Sequence, residues 1–461
     1  MRVSRPTLAL FMAAFLVLEA RATRAEASRP PMGWNSFDSY GVYLPEEAAR
    51  ANLEAMAQKL KPFGYEYFVI DNGWAGEYAL LPGTHFAREK HAAKLHLNEF
   101  GYFEPSAVYF PHGFAPLIAR CHELGLKFGV HLMRGIPRQA VELNLPIEGT
   151  PYHARDIADL TPANQCKWCA YCYAVDMNRP GAQAWYDGLI RHLARQGVDF
   201  VKYDDIVPYP REVEAVAEAI RKVDRPMVFS LSPGGKVDPA ALPAFRRANS
   251  LRVTNDVWDD QVGLDRCFAA WRKWSGHAEP GFWIDMDMIP FGELQIMTPA
   301  PTDPAALSAD SVALAGKGSR RWSQLSPSQM ITFITLRALA ASPLIVGGDL
   351  ASLDAFSLRL VTDPDVIACN QNGVMGHLVH EGDGLEVWFT PREGKSKQGW
   401  FGVFNRTARV RDITLTPAML GLGGEVEVTD IWNGHRTLAV PTTGGPAVTV
   451  PDQGALFLRL D

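Results

Sequence analysis

From about Pro31 to Leu350 the chain repeats one pattern: a short apolar run, a polar loop, then a stretch with apolar residues at helical spacing. The apolar runs predict strands at Met32–Asn35, Tyr67–Ile70, Phe128–Leu132, Phe200–Tyr203, Met227–Leu231, Leu251–Thr254, Gly281–Ile284 and Pro343–Val346. Between them, helices are expected over Glu46–Leu60, Phe114–Leu124, Ala182–Gln196, Arg211–Val223 and Ser326–Ala341. Eight strands alternating with helices argue for an α/β fold of one kind, a parallel (β/α)8 TIM barrel. The barrel is assigned to residues 30–355.

After Leu350 the texture changes. Leu385–Phe389, Gly399–Phe404, Ile413–Leu415, Val426–Ile431, Ala447–Val450 and Ala455–Leu460 are short runs split by Gly, Asn and Asp, as in a small antiparallel β-sandwich over 375–461. A hairpin turn is expected over Glu393–Gln398. The 461 residues, 47% hydrophobic and 21% charged, suffice for both units. A net charge of -6 without a Lys/Arg run argues against a nucleic-acid partner.

The N-terminus has the layout of a signal peptide over 1–25. Arg2 and Arg5 precede an apolar segment from Thr7 to Leu18, and then come Ala20, Ala22, Ala25 and Ala27. That segment is short of the roughly 20 residues a bilayer demands, so export to the periplasm or the outside is expected rather than stable membrane insertion. Six cysteines are present, three of them clustered as Cys166, Cys169 and Cys172. No fourth ligand stands at a zinc-like spacing, so a local disulfide or thiols lining a loop are expected there, and no metal.

In barrels of this class the site lies at the C-terminal ends of the strands. The polar residues just past each strand are Asn35, Ser36 and Asp38; Asp71 and Asn72; His131 and Arg134; Lys202, Asp204 and Asp205; Ser230 and Ser232; Asn255, Asp256, Asp259 and Asp260; and Asp285 and Asp287. Trp34, Phe37, Trp74, Trp168, Trp258 and Trp283 interleave with them. Carboxylates accept hydrogen bonds from hydroxyls and indole faces cover the C–H face of a pyranose, so this rim suits a sugar. Val198–Asp204 is the most pointed case: a buried strand running out into Lys202 and Asp204, which alternation puts on one face. The Lys202 ammonium is expected to favour ionised Asp204.

At this point the chain resembles glycoside hydrolase family 27, the α-galactosidases and α-N-acetylgalactosaminidases. The resemblance spans about residues 30–461. It rests on Pro31–Ser36, Tyr67–Trp74, Gly125–His131, Val198–Asp204, Arg252–Trp258, Trp283–Met288 and Ser342–Ile345, in order. It implies double displacement with retention, Asp204 as nucleophile and Asp256 as acid/base, two carboxyls that such chemistry sets roughly 5–5.5 Å apart. It further implies that Asp71, Lys202 and Arg252 bind sugar hydroxyls, that Asp287 is a further acid near the subsite, and that Trp34 and Phe37 form an aromatic wall. Three positions depart from the common pattern: Asn72 for an Asp, His131 for a Tyr, and Ser232 at the start of a segment that in animal members reads the C2 substituent. Ile206 replaces the usual cysteine, so that family disulfide is not expected. The insertion from Arg134 to Met177 is expected to cover the mouth.

Two alternatives stay open on residues alone. Asp205 rather than Asp204 is a possible nucleophile, and Asp259 or Asp260 a possible acid, although either also suits a helix cap. The resemblance implies an exported exo-acting α-galactosidase with no cofactor, its partner an oligosaccharide or polysaccharide. Relatives acting as α-N-acetylgalactosaminidase, β-L-arabinopyranosidase or isomalto-dextranase leave the glycone open. A sugar-binding barrel without turnover is the reading from another class, and the presence of both Asp204 and Asp256 speaks against it.

Overall fold

The computed structural model describes residues 25–78, 94–232, 237–297 and 319–461. Residues 1–24, nearly all of the expected signal peptide, lie outside them, as do residues 233–236 after Ser232.

Eight parallel strands form the first unit: β1 (Met32–Asn35), β2 (Tyr67–Ile70), β3 (Lys127–Met133), β4 (Phe200–Asp204), β5 (Val228–Ser232), β6 (Ser250–Arg252), β7 (Trp283–Asp285) and β8 (Leu344–Val346). Each lies within two residues of its expected bounds. Their order in the sheet is β7-β6-β5-β4-β3-β2-β1-β8. The two edges meet at a single parallel bridge, Ile289 to Val346, so the curled sheet closes on itself. Gly33 on β1 has no alternative, because a Cβ there would stand 2.2 Å from the Tyr67 carbonyl oxygen of β2.

The helices that cover the sheet follow from their spacing. On α3 (Ala182–Gln196) the buried residues are Ala182, Trp185, Tyr186, Gly188, Leu189, Ile190 and Leu193, one face of a 3.6-residue period. Gly197 ends it with φ 99°, a left-handed cap that side chains other than glycine resist. The other main helices are α1 (Glu46–Lys59), α2 (Ala115–Glu123), α4 (Pro210–Arg221), α5 (Gln261–Trp274) and α6 (Pro327–Leu339). Ser326 opens α6 through a capping box with Gln329.

The second unit is a six-stranded antiparallel sheet of β9 (His377–Gly382), β10 (Leu385–Arg392), β11 (Lys395–Asn405), β12 (Val426–Asp430), β13 (Arg436–Val440) and β14 (Ala455–Leu460), ordered β9-β10-β11-β14-β12-β13. A two-stranded pair, Arg411–Thr414 with Ala447–Val450, makes the second layer. The expected turn over Glu393–Gln398 is shorter than that: Arg392 already pairs with Lys395, and the strand runs on through polar residues. Alternation gives the sheet two apolar faces. Val387, Phe389, Phe401 and Val403 point into the sandwich core. Trp388 points the other way and stacks on Trp271 of α5, with ring centroids 3.8 Å apart, while Phe404 meets Phe268 edge-on at 5.0 Å. The helix after β6 is thereby packed against the C-terminal sheet.

Candidate active site

A cavity of about 270 Å³ opens at the C-terminal ends of the barrel strands. Phe37, Asp71, Asn72, His131, Trp168, Lys202, Asp204, Arg252, Asn255, Asp256 and Met288 line it. The volume lies just below the roughly 300–1,000 Å³ usual for ligand sites.

Asp204 ends β4. Register sets Lys202 beside His131 of β3, and Asp204 beside Ser232 of β5. Lys202 and Asp204 share the inward face, whereas Val201 and Tyr203 are fully buried on the other. The two Asp204 oxygens have different donors. The Asp205 N–H donates to Oδ1 at 2.9 Å, and His131 Nε2 donates to Oδ2 at 3.3 Å. Lys202 acts on Asp204 as a nearby charge rather than as a hydrogen-bond partner. Its Nζ donates to Asp71 Oδ2 at 2.7 Å, because β2 and β3 bring that carboxylate closer than the next residue but one on its own strand.

Asp71 follows β2 and is almost fully buried. Asn35 Nδ2 donates to its Oδ2 at 2.6 Å, and the Asn72 N–H donates to its Oδ1 at 2.8 Å. Burial works to raise its pKa, but the Lys202 ammonium pulls it well below the usual carboxylate range. Burial likewise opposes the Lys202 charge, and Asp71 outweighs it, so the lysine pKa is raised. Next to this closed pair, Asn72 Nδ2 is buried without a hydrogen-bond partner among the described residues. It is a free donor at a rim otherwise rich in acceptors.

Arg252 ends β6 and divides one cation between two carboxylates. Its Nη1 donates to Asp256 Oδ1 and to Asp287 Oδ1, both at 2.9 Å. Asp287 is buried and also accepts the Val257 N–H at 2.8 Å. Against the cost of burial, Arg252 and then Lys202 hold its pKa below the ordinary value. Asp256 goes the other way. Burial raises its pKa, Arg252 opposes, and Asp287 and Asp204 add to the rise. Its side chain is 57% open to the mouth, where solvent weakens desolvation, so part of the rise rests on the neighbouring carboxylates. Two acids sharing one arginine are thus driven apart, Asp287 toward the ionised form and Asp256 toward the protonated one.

Some expected site residues fall elsewhere. Trp34 is fully buried: it stacks on Phe68 at 4.9 Å between centroids and donates its indole N–H to the Gly348 carbonyl at 2.8 Å, so it packs the barrel interior and leaves the wall to Phe37. Phe37 is backed by Trp258 at 6.5 Å. Asp287 does not reach the cavity either. A left-handed backbone, φ 77°, turns its carboxylate back toward Arg252 and Val257. Ser232 is buried beside Asp204 but is not among the lining residues. Asp205 pairs with Arg134 at 3.0 Å. Asp259 is held by Arg321 Nε at 2.9 Å, and Asp260 caps α5 by accepting the Gly263 N–H at 2.7 Å. None of these three lines the cavity. Trp168 and Met288 do. Trp168 is one of the rim aromatics expected from the sequence, on the insertion expected to cover the mouth, whereas Met288 carries no signal of its own. Cys166, Cys169 and Cys172 are thiols, the latter two buried.

Comparison with known proteins bears on the fold and the family. Residues 382–460 match the alpha galactosidase C-terminal beta sandwich domain. The chain is 34% identical to a GH27 β-L-arabinopyranosidase from Geobacillus stearothermophilus, with a TM-score of 0.84 over 95% of this chain and 98% of that one. It is 26% identical to an alpha-galactosidase of Oryza sativa, covering 89% of this chain and 80% of the relative. An alpha-galactosidase A of Cellvibrio japonicus is 27% identical, with 84% and 79% covered.

Proposed function

The chain belongs to glycoside hydrolase family 27 and is a glycosidase, and from that premise we propose that it removes terminal galacto-configured residues with retention of anomeric configuration. Asp204 is the nucleophile and Asp256 the acid/base. The observation that carries this reading is the pair of carboxyls on one cavity with opposed surroundings. Asp204 is fixed by donors on both oxygens, ready to attack, while Asp256 is biased toward holding a proton.

The steps follow from that division. With the glycone seated over Asp71, Asn72 and Lys202, Asp204 attacks the anomeric carbon as Asp256 gives its proton to the departing oxygen. The glycosyl–Asp204 ester is then opened by water, which Asp256, now ionised, deprotonates. Arg252 stabilises that ionised form, and Asp287 keeps the arginine from holding Asp256 ionised in the resting state. The small cavity favours one terminal ring over an internal stretch of polymer.

The second reading keeps the chemistry and changes the glycone to β-L-arabinopyranose, which matches α-D-galactose from C1 to C4 and lacks the C6 hydroxymethyl. The 34% identity to an arabinopyranosidase favours it over the more distant galactosidases. Export is part of the proposal. Cleavage after Ala22 or Ala25 leaves intact the bond from Trp283 Nε1 to the Ala27 carbonyl, 2.7 Å long, whereas cleavage after Ala27 severs it there.

The test is a panel of nitrophenyl α-D-galactoside, α-N-acetylgalactosaminide and β-L-arabinopyranoside, with the first-formed sugar anomer followed by proton NMR. Retention and activity on a galacto-configured glycone are expected, with Asp204→Ala folded and inactive. An inverted first product, or unchanged turnover in Asp204→Ala, overturns the assignment.

A further inference from the structure

One buried cation joins three parts of the molecule around Asp204 without itself reaching the cavity. Arg134 follows β3, and its side chain is 1% exposed. Nε and Nη2 donate to Asp205 Oδ2 at 3.2 and 3.0 Å, and Nε also donates to the Asp205 carbonyl at 2.9 Å. Nη1 donates to Glu212 Oε1 of α4 at 3.0 Å. Nη2 donates to the Asn164 carbonyl at 2.6 Å, inside the insertion that carries Trp168. The guanidinium lies 3.5 Å from the Tyr209 ring centroid, and the Arg134 backbone N–H donates to the Asp204 carbonyl at 3.0 Å. Only a planar fork of donors serves so many acceptors at once; a lysine does not.

Asp205 is where this network meets the reaction. Its φ of 59° is left-handed, a conformation that side chains other than glycine seldom adopt. In that turn its N–H is shared between Asp204 Oδ1 at 2.9 Å and the Ser232 carbonyl of β5 at 3.3 Å. Relieving that φ by a flip of the 204–205 peptide would turn the N–H away from the carboxylate and would also break the bonds of that peptide to the Ser232 carbonyl and the Arg134 N–H. The Arg134 bonds to both the carboxylate and the carbonyl of Asp205 oppose that flip.

We propose that Arg134 is a positioning residue: by locking Asp205 in its left-handed turn it fixes the plane of the Asp204 carboxylate, and by gripping Asn164 it sets Trp168 at the rim of the same cavity. The inference rests on the reading of Asp204 as nucleophile. Neither Arg134 nor Asp205 touches substrate. On Asp204 both act through a backbone N–H, so their loss slows the chemical step, while the Arg134 grip on Asn164 bears on Trp168 and so adds a smaller effect on KM.

The test uses the full chain with Arg134→Met, Asp205→Gly, the double variant and Asp204→Gly, assayed on a nitrophenyl glycoside and normalised to folded protein by near-UV circular dichroism. For Arg134→Met the expected kcat falls on the order of 10²-fold, as for a nucleophile misplaced by about 1 Å, with KM within about threefold. Asp205→Gly takes the left-handed turn without strain, so it folds whatever becomes of Arg134→Met, and its kcat is expected to fall about tenfold. The double variant is expected to be no slower than Arg134→Met, because both residues act through one turn. A kcat per folded molecule within about twofold of the parent in both single variants, or losses that multiply in the double variant, overturns the proposal. Asp204→Gly is the control: inactivity relieved by added azide supports the nucleophile assignment, and retained activity removes the reading on which the proposal stands.

Discussion

Replacing Lys202 by Met keeps the length of the side chain and removes its charge, leaving Asp71 buried without its main counter-ion. The Nζ to Oδ2 distance is 2.7 Å, and the two side chains are 13% and 3% exposed. At an effective dielectric of about 20 that separation corresponds to about 6 kcal/mol of attraction. Desolvation and the opposing Arg252 charge absorb part of it, and removing one partner of a buried pair costs about 3–5 kcal/mol. Asp71 keeps donors from Asn35 and the Asn72 N–H, which puts the expected loss near the lower end, about 3 kcal/mol. The pH dependence follows from the direction of the Asp71 shift. In the parent its folded pKa is depressed, so its contribution is fully present above the unfolded value of about 3.9 and is lost as pH falls through the folded one. In the variant burial dominates and the folded pKa moves above the unfolded one. The deficit is then largest near neutrality and shrinks as pH falls toward about 5. Urea unfolding, which leaves ionic strength unchanged, at about pH 7 and about pH 5 measures both quantities. A deficit below about 1 kcal/mol at neutrality, or one equal at both pH values, refutes the reasoning. The double variant Lys202→Met/Asp71→Asn is expected to recover most of the loss, since a pair removed whole costs little.

Asp256→Asn is expected to lower kcat/KM by about 10²–10⁴-fold for alkyl or sugar leaving groups and far less for nitrophenyl ones, which leave without a proton. Activity of the parent falls as pH rises through the raised Asp256 pKa, so the variant should lose that alkaline limb; a limb that persists unchanged assigns the acid elsewhere. Trp388→Ala removes a ring stacked on Trp271 and should cost about 3–5 kcal/mol in urea unfolding; a loss under about 1 kcal/mol shows that the sheet contributes little to the barrel.

The strands of the barrel were legible because nearly every position in them is buried, so apolar residues dominate each run and the polar ones stand out. β9 and β13 were not, because their exposed positions break the run: His377 and Glu381 in the first, Arg436, Thr437 and Ala439 in the second. The tips were legible as a class, since polar residues that end buried strands have few other reasons to be there. What each tip residue faces was less so. Lys202 turned to Asp71, a residue 131 positions away, and Asp287 turned inward through a left-handed backbone that no spacing rule reveals. Arg134 was collected as a tip residue, but its partners Asp205 and Glu212 lie 71 and 78 positions on, in elements that only the fold brings together.

The single bridge that closes the barrel has a consequence for anyone who would make this enzyme more robust. Between Asp285 and Ile289 the chain leaves the ladder, and that departure gives Asp287 its left-handed turn and its grip on Arg252. Substitutions that regularise 286–288 into continuous strand would exchange the present side-chain bonds of that backbone, to Ser342, Asp285 and Arg337, for ladder bonds and would relieve the left-handed turn at Asp287, which is expected to raise the melting temperature. They would also withdraw Asp287, leave Arg252 to Asp256 alone, and hold the proposed acid in its ionised form. Selection for thermal tolerance and selection for turnover therefore pull this seam in opposite directions.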